Sequence, residues 1–66
     1  MQFEIGQIVE TSFGKGWENY FGRYLVLKLD NYGDPYVQVL RPRPYSDEEV
    51  GDKYHTTAQE LFPDLY

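Results

Sequence analysis

The sequence predicts one small, mostly β domain: a strongly bent antiparallel barrel finished by a short helical turn. Three observations lead there. Two runs of nearly alternating apolar and polar residues, Phe3 to Thr11 and Arg23 to Asp30, carry the period of half-buried strands. A dense group of turn formers, Asn31-Tyr32-Gly33-Asp34-Pro35, separates the second run from a third, Tyr36 to Arg41, which is the pattern of a hairpin. The chain has 66 residues, enough for a single domain over 1–66 and too few for two.

The elements follow in order. Phe3-Glu4-Ile5-Gly6-Gln7-Ile8-Val9-Glu10-Thr11 reads as the first strand, with its phase slipping by one at Gly6, as a bulge or sharp bend requires. Residues 12–22 hold three glycines among Phe13, Trp17, Tyr20 and Phe21 and sustain neither period, so they are read as a long aromatic loop. Arg23 to Asp30 is the clearest strand. Leu25, Leu27 and Leu29 share one face of it and are assigned to the core with Val37 and Val39 of the returning strand. Arg41-Pro42-Arg43-Pro44 ends that strand, because proline brings no amide to a ladder. Tyr45 to Lys53 is an acidic loop, and Tyr54 to Thr57 a short fourth strand. Thr57-Ala58-Gln59-Glu60 is a capping box opening a helical turn that Pro63 stops.

A chain of this size buries only about 60% of its unfolded surface. Without cysteine it has no disulfide or thiolate zinc site to compensate. Seven tyrosines, four phenylalanines and one tryptophan supply the bulk instead, since each ring fills a large share of a small core. In its opening Phe3–Val9 segment (FEIGQIV), its Gly22–Leu29 strand and its closing Ala58–Leu61 segment, the chain resembles the SH3-like small barrels, such as KOW modules and the PsaE-type subunits of photosystem I. That resemblance implies a module that binds protein or nucleic acid rather than a catalyst.

The composition excludes several classes. The longest apolar run, Tyr24 to Leu27, is far short of the about 20 residues a bilayer-spanning helix needs. The chain opens on Met1 and is expected to be one complete gene product. Glu4 near the start and the lack of an apolar h-region argue against a signal peptide, and a leaderless, cysteine-free chain is expected in the cytoplasm.

Catalytic chemistry is poorly supplied. His55 is the single histidine, placed between Tyr54 and Thr56 in a strand, where a half-exposed structural role is the plainer reading. Paired carboxylates need a cleft that separates their pKa values, and a chain this short rarely encloses one. No catalytic residue, cofactor or metal is therefore expected. Asp47, Glu48, Glu49 and Asp52 lack the alternating ligand spacing of a calcium loop and read as a solvated acidic stretch.

Binding is better supplied. The net charge is −5, and it is unevenly spread. Up to Pro44, Lys15, Arg23, Lys28, Arg41 and Arg43 balance Glu4, Glu10, Glu18, Asp30 and Asp34. Beyond it only Lys53 opposes Asp47, Glu48, Glu49, Asp52, Glu60 and Asp64. Trp17, Tyr20, Phe21 and Arg23 are of the types enriched at interface hot spots, while Glu48, Glu49 and Asp52 could steer a basic partner. The reading is a non-catalytic protein-interaction module: a small acidic regulator or inhibitor, phage- or plasmid-borne forms included, or an accessory subunit. Its partner would be a basic-surfaced protein, such as a nucleic-acid-binding enzyme, or a large complex. The alternative is direct nucleic-acid binding through the aromatic–basic loop 14–24, against which the net negative charge weighs.

Overall fold

A computed structural model describes residues 2–11, 22–43 and 46–62. Trp17, Tyr20 and Phe21, with the rest of the aromatic loop, lie outside the described residues. The described chain is mostly β: β1 (Ile8–Thr11), β2 (Gly22–Leu29), β3 (Pro35–Arg41) and β4 (Lys53–His55), followed by α1 (Ala58–Leu61). The four strands form one sheet in sequence order, every neighbouring pair antiparallel. The sheet is open: β1 and β4 are its edges, so the closed barrel expected from the sequence is not what the strand pairing describes.

The phase slip at Gly6 has a physical cause. Gly6 has φ 88°, a left-handed conformation that glycine adopts without steric cost. Gln7 N–H donates to Glu4 C=O at 3.1 Å and closes a turn there. The first strand is accordingly shorter than its sequence pattern, although Gly6 N–H to Val26 C=O (2.8 Å) and Val26 N–H to Gln7 C=O (2.9 Å) extend its pairing with β2. Before the turn, Phe3 is buried and its ring stacks on Phe62 at 6.5 Å.

The hairpin and the helix form as the sequence predicts. Asp30 Oδ1 accepts from Tyr32 N–H (2.8 Å) and Asp34 N–H (2.9 Å), so one carboxylate shapes the whole turn. Pro35 opens β3, where a strand can spare an amide. Thr57 caps α1 by accepting from Glu60 N–H at 3.2 Å. The reciprocal half of the box is replaced: the Glu60 carboxylate accepts from Thr56 Oγ1 at 2.9 Å. Leu61 then drops fully into the core.

The core corrects the assignment of the β2 faces. Phe3, Val9, Tyr24, Val26, Val37, Val39 and Leu61 form it, with Leu29, Tyr54, Ala58 and Phe62 partly buried against it. Leu25 and Leu27 are only half-buried, and Leu25 stands opposite Gln38, not opposite a valine. Both alternating sets of Gly22–Leu29 are apolar, so period alone cannot choose between them. The cross-strand pairs choose: Tyr24 faces Val39 and Val26 faces Val37, which places all four on the covered side. Leu29 still reaches the core because the register slips between Val26 and Lys28. The extra residue is Leu27, and a second slip leaves Leu40 as the extra residue on β3.

Val26→Ala should therefore cost about 2–3 kcal/mol, from two lost methyl groups and the cavity they leave. Leu27→Ala should cost about 1 kcal/mol or less. Urea unfolding of the two variants checks the ranking, and a costlier Leu27 substitution would reverse the face assignment.

Candidate functional site

Three groups of functional side chains emerge once the sheet is built. The first lies where the acidic β3–β4 connection crosses β2. Tyr24 points inward from β2 and is fully buried, yet its hydroxyl needs partners. It donates to both oxygens of Glu48, at 2.7 and 2.9 Å, and accepts from Arg43 Nε at 2.9 Å. The Tyr54 hydroxyl donates to Glu48 Oε2, and the Tyr54 ring meets the Tyr24 ring edge-on at 6.4 Å. Arg43 N–H (3.1 Å) and Ser46 Oγ (3.3 Å) complete the shell on Glu48 Oε1. The guanidinium of Arg43 lies 5.4 Å from the Tyr24 ring centre. Gly22 makes room for this assembly: a Cβ there would sit 2.8 Å from both Arg43 Cγ and the Tyr24 hydroxyl.

Protonation follows from these contacts. Burial pushes the Glu48 pKa up, but the hydrogen bonds from Tyr54, Tyr24 and the Arg43 amide outweigh it, and the net shift is downward. Tyr24 is pushed up to about 12, first by burial and then by its bond to Glu48. Tyr54 is raised as well, by burial first and then by Glu48 and Tyr24. The arrangement holds one carboxylate ionised and two phenols neutral. It is a clasp, with its polar groups turned on one another.

The second group sits at the hairpin corner. Asp30 Oδ2 lies 2.7 Å from His55 Nε2, and a carboxylate oxygen of Asp34 joins them, so that three atoms able to ligate a cation lie within 4.8 Å of one another. The other oxygen of Asp30 already serves two turn amides. Burial raises the Asp30 pKa, while the Asp34 amide, His55 and the Tyr32 amide lower it to a net downward shift. The corner works as a latch from the β2–β3 turn to β4, with His55 bound to Asp30.

The third group is the outer face of the sheet. The register aligns three rows across it: Glu10, Arg23 and Arg41; Ile8, Leu25, Gln38 and Lys53; and Lys28, Tyr36 and His55. Each of the two register slips places an apolar residue and a cation side by side away from the core, Leu27 with Lys28 and Leu40 with Arg41. Ile8 is 56% exposed. Glu10 accepts from Arg23 at 3.1 Å, and Lys28 Nζ lies 4.8 Å from the Tyr36 ring centre.

The residues singled out in the sequence fall into different places. Trp17, Tyr20 and Phe21 lie outside the described residues. Arg23 stands on the outer face. Glu49 and Asp52 are exposed, and Asp52 Oδ2 accepts from Glu49 N–H at 2.9 Å to shape their turn. Glu48 is half-buried in the clasp. Sequence reasoning missed Tyr24, Tyr54 and Arg43 as partners of Glu48, since nothing in an acidic run marks which carboxylate turns inward. The outer rows became visible only with the register. No protein-family model, curated protein or solved structure matches this chain.

The clasp makes stability depend on pH at the alkaline end. A phenol whose pKa rises on folding adds stability that is complete below its unfolded value of 10.0 and is lost as pH climbs toward about 12. Urea unfolding should therefore show stability falling across that interval, and Tyr24→Phe should make the fall shallower. An equal slope in the variant would contradict the shifted phenol.

Proposed function

We propose that this protein is a non-catalytic interaction module that docks a partner on the outer face of its sheet. The observation that carries the reading is the sorting of side chains by the two register slips and the strand pairing. One face is covered by the core, while the other lines up Ile8, Leu25 and Leu27 among Arg23, Lys28, Arg41 and Lys53. Four of the chain's six Lys and Arg residues stand there, in a protein whose net charge is −5. An apolar centre with a charged rim is the anatomy of a protein contact surface.

Other features agree with binding. Among the described residues, the groups with shifted pKa, namely Tyr24, Glu48, Tyr54 and Asp30, are engaged in holding elements together. A cleft of about 300 Å³ beside the hairpin is lined by Phe3, Leu29, Tyr32 and Asp34 among others, and it offers a concave surface next to the sheet. On this reading the protein is a small regulator, inhibitor or accessory subunit, its cysteine-free chain suited to the cytoplasm. The open four-stranded sheet is, on the same reading, the greater part of a small barrel-like binding unit.

The test is a comparison of baits. Ile8→Asp puts a charge in the apolar row, whereas Val50→Asp puts one at a 71% exposed position of the β3–β4 turn that belongs to none of the three rows. In native lysate followed by mass spectrometry, the parent and Val50→Asp should retain the same partner and Ile8→Asp should lose it. Retention by all three would sink the reading.

A further inference from the structure

We infer that the outer face receives an acidic segment of a partner protein in which carboxylates alternate with apolar side chains. This rests on the docking reading above and adds the charge and chemistry of the occupant. The sequence alone points the other way, to a basic partner steered by the acidic stretch. Within that stretch, however, Glu48 accepts from Tyr24, Tyr54, Ser46 and the Arg43 amide, so its charge is directed inward. Among the described residues, the rows of the face hold four cations against Glu10. Arg23 and Arg41 border the apolar row on one side, Lys28 on the other, and Lys53 ends it on β4. Among the described residues, Glu10 pairs with Arg23 at 3.1 Å and Asp30 with His55 at 2.7 Å, which leaves the two lysines of the face as the cations the occupant addresses.

Two anionic classes could answer such a face, and the surface favours protein over nucleic acid. Binding a single strand relies on several exposed rings for base stacking. On the described face Tyr36 is the aromatic ring, and Lys28 Nζ stands 4.8 Å from its centre. Ile8, Leu25 and Leu27, in contrast, offer nothing to phosphates and much to Leu or Phe side chains. The net charge of −5 repels either class at a distance, so recognition has to come from contact within roughly a Debye length, about 8 Å at physiological salt. A segment that sets apolar groups on the Ile8–Leu25 row and carboxylates over Lys28 and Lys53 satisfies both parts of the face at once.

The experiment titrates the nitrogen-labelled full chain, followed by its NMR amide signals, with a synthetic peptide alternating Glu with Leu and Phe. A poly-Glu peptide and oligo(dT) serve as the comparisons. The alternating peptide should shift the amides of Ile8, Leu25, Gln38 and Lys53. It should bind about tenfold more weakly to a Lys28→Glu, Lys53→Glu double variant, and more tightly to the parent than poly-Glu does. Absent shifts on this face, or an affinity that charge reversal leaves unchanged, would overturn the inference. Tighter binding by oligo(dT) at the same amides would overturn it in favour of nucleic acid. The two readings fail separately. If Ile8→Asp loses the native partner while the peptide does not bind the parent, the face stands and the acidic occupant falls. If Ile8→Asp keeps the partner, both fall.

Discussion

The half-buried carboxylate of Glu48 ties the covered side of the sheet together. It lies on the connection between β3 and β4, yet it accepts from Tyr24 on β2, from Tyr54 on β4 and from the Arg43 amide two residues beyond β3. Two strands and the segment that follows β3 thereby converge on one side chain. A small core cannot easily bury a tyrosine hydroxyl or a carboxylate, because each unsatisfied group costs on the order of 1–3 kcal/mol. Here each satisfies the other, and Arg43 accompanies the pair with its Nε on the Tyr24 hydroxyl. The result is a polar clasp beside an apolar core of Phe3, Val9, Val26, Val37, Val39 and Leu61. The ring of Tyr24 supplies apolar bulk while its tip is hydrogen-bonded, which lets one residue serve both purposes.

The outer face depends on the same constraint. With Tyr24 and Val26 fixed inward, Arg23 and Leu25 must point outward, because neighbours along a strand alternate. The slip at Leu27 then keeps Lys28 outward as well, and the slip at Leu40 does the same for Arg41. Packing on one side thus dictates which charges gather on the other. The cations are scattered along the sequence, and pairing brings them together.

Much of the fold was legible in the sequence, and the exceptions are physical. The hairpin about Asp30 to Asp34 and the Thr57 cap rest on local hydrogen bonds between residues close in the chain, and such signals are carried by the residues themselves. The boundary at Arg41 was equally local, set by Pro42. The faces of β2 were not legible, since Tyr24 and Val26 compete with Leu25, Leu27 and Leu29 and only the partners on β3 decide. Register slips left no mark in the sequence at Leu27 or Leu40. The site was legible only in part. The strand position of His55 was legible, but its pairing with Asp30 across 25 residues was not. The inward turn of Glu48 was hidden, because Asp47, Glu48 and Glu49 look alike until Tyr24 and Tyr54 select one of them.

The most direct measurement of the clasp is a double-mutant cycle on Tyr24→Phe and Glu48→Gln, with unfolding free energies taken for the parent, both single variants and the double variant. A partly buried hydrogen bond to a charged group that joins two elements should give a coupling of about 1–3 kcal/mol. Effects that add to within roughly 0.5 kcal/mol would mean that the two side chains act independently and that Glu48 does not hold the sheet together.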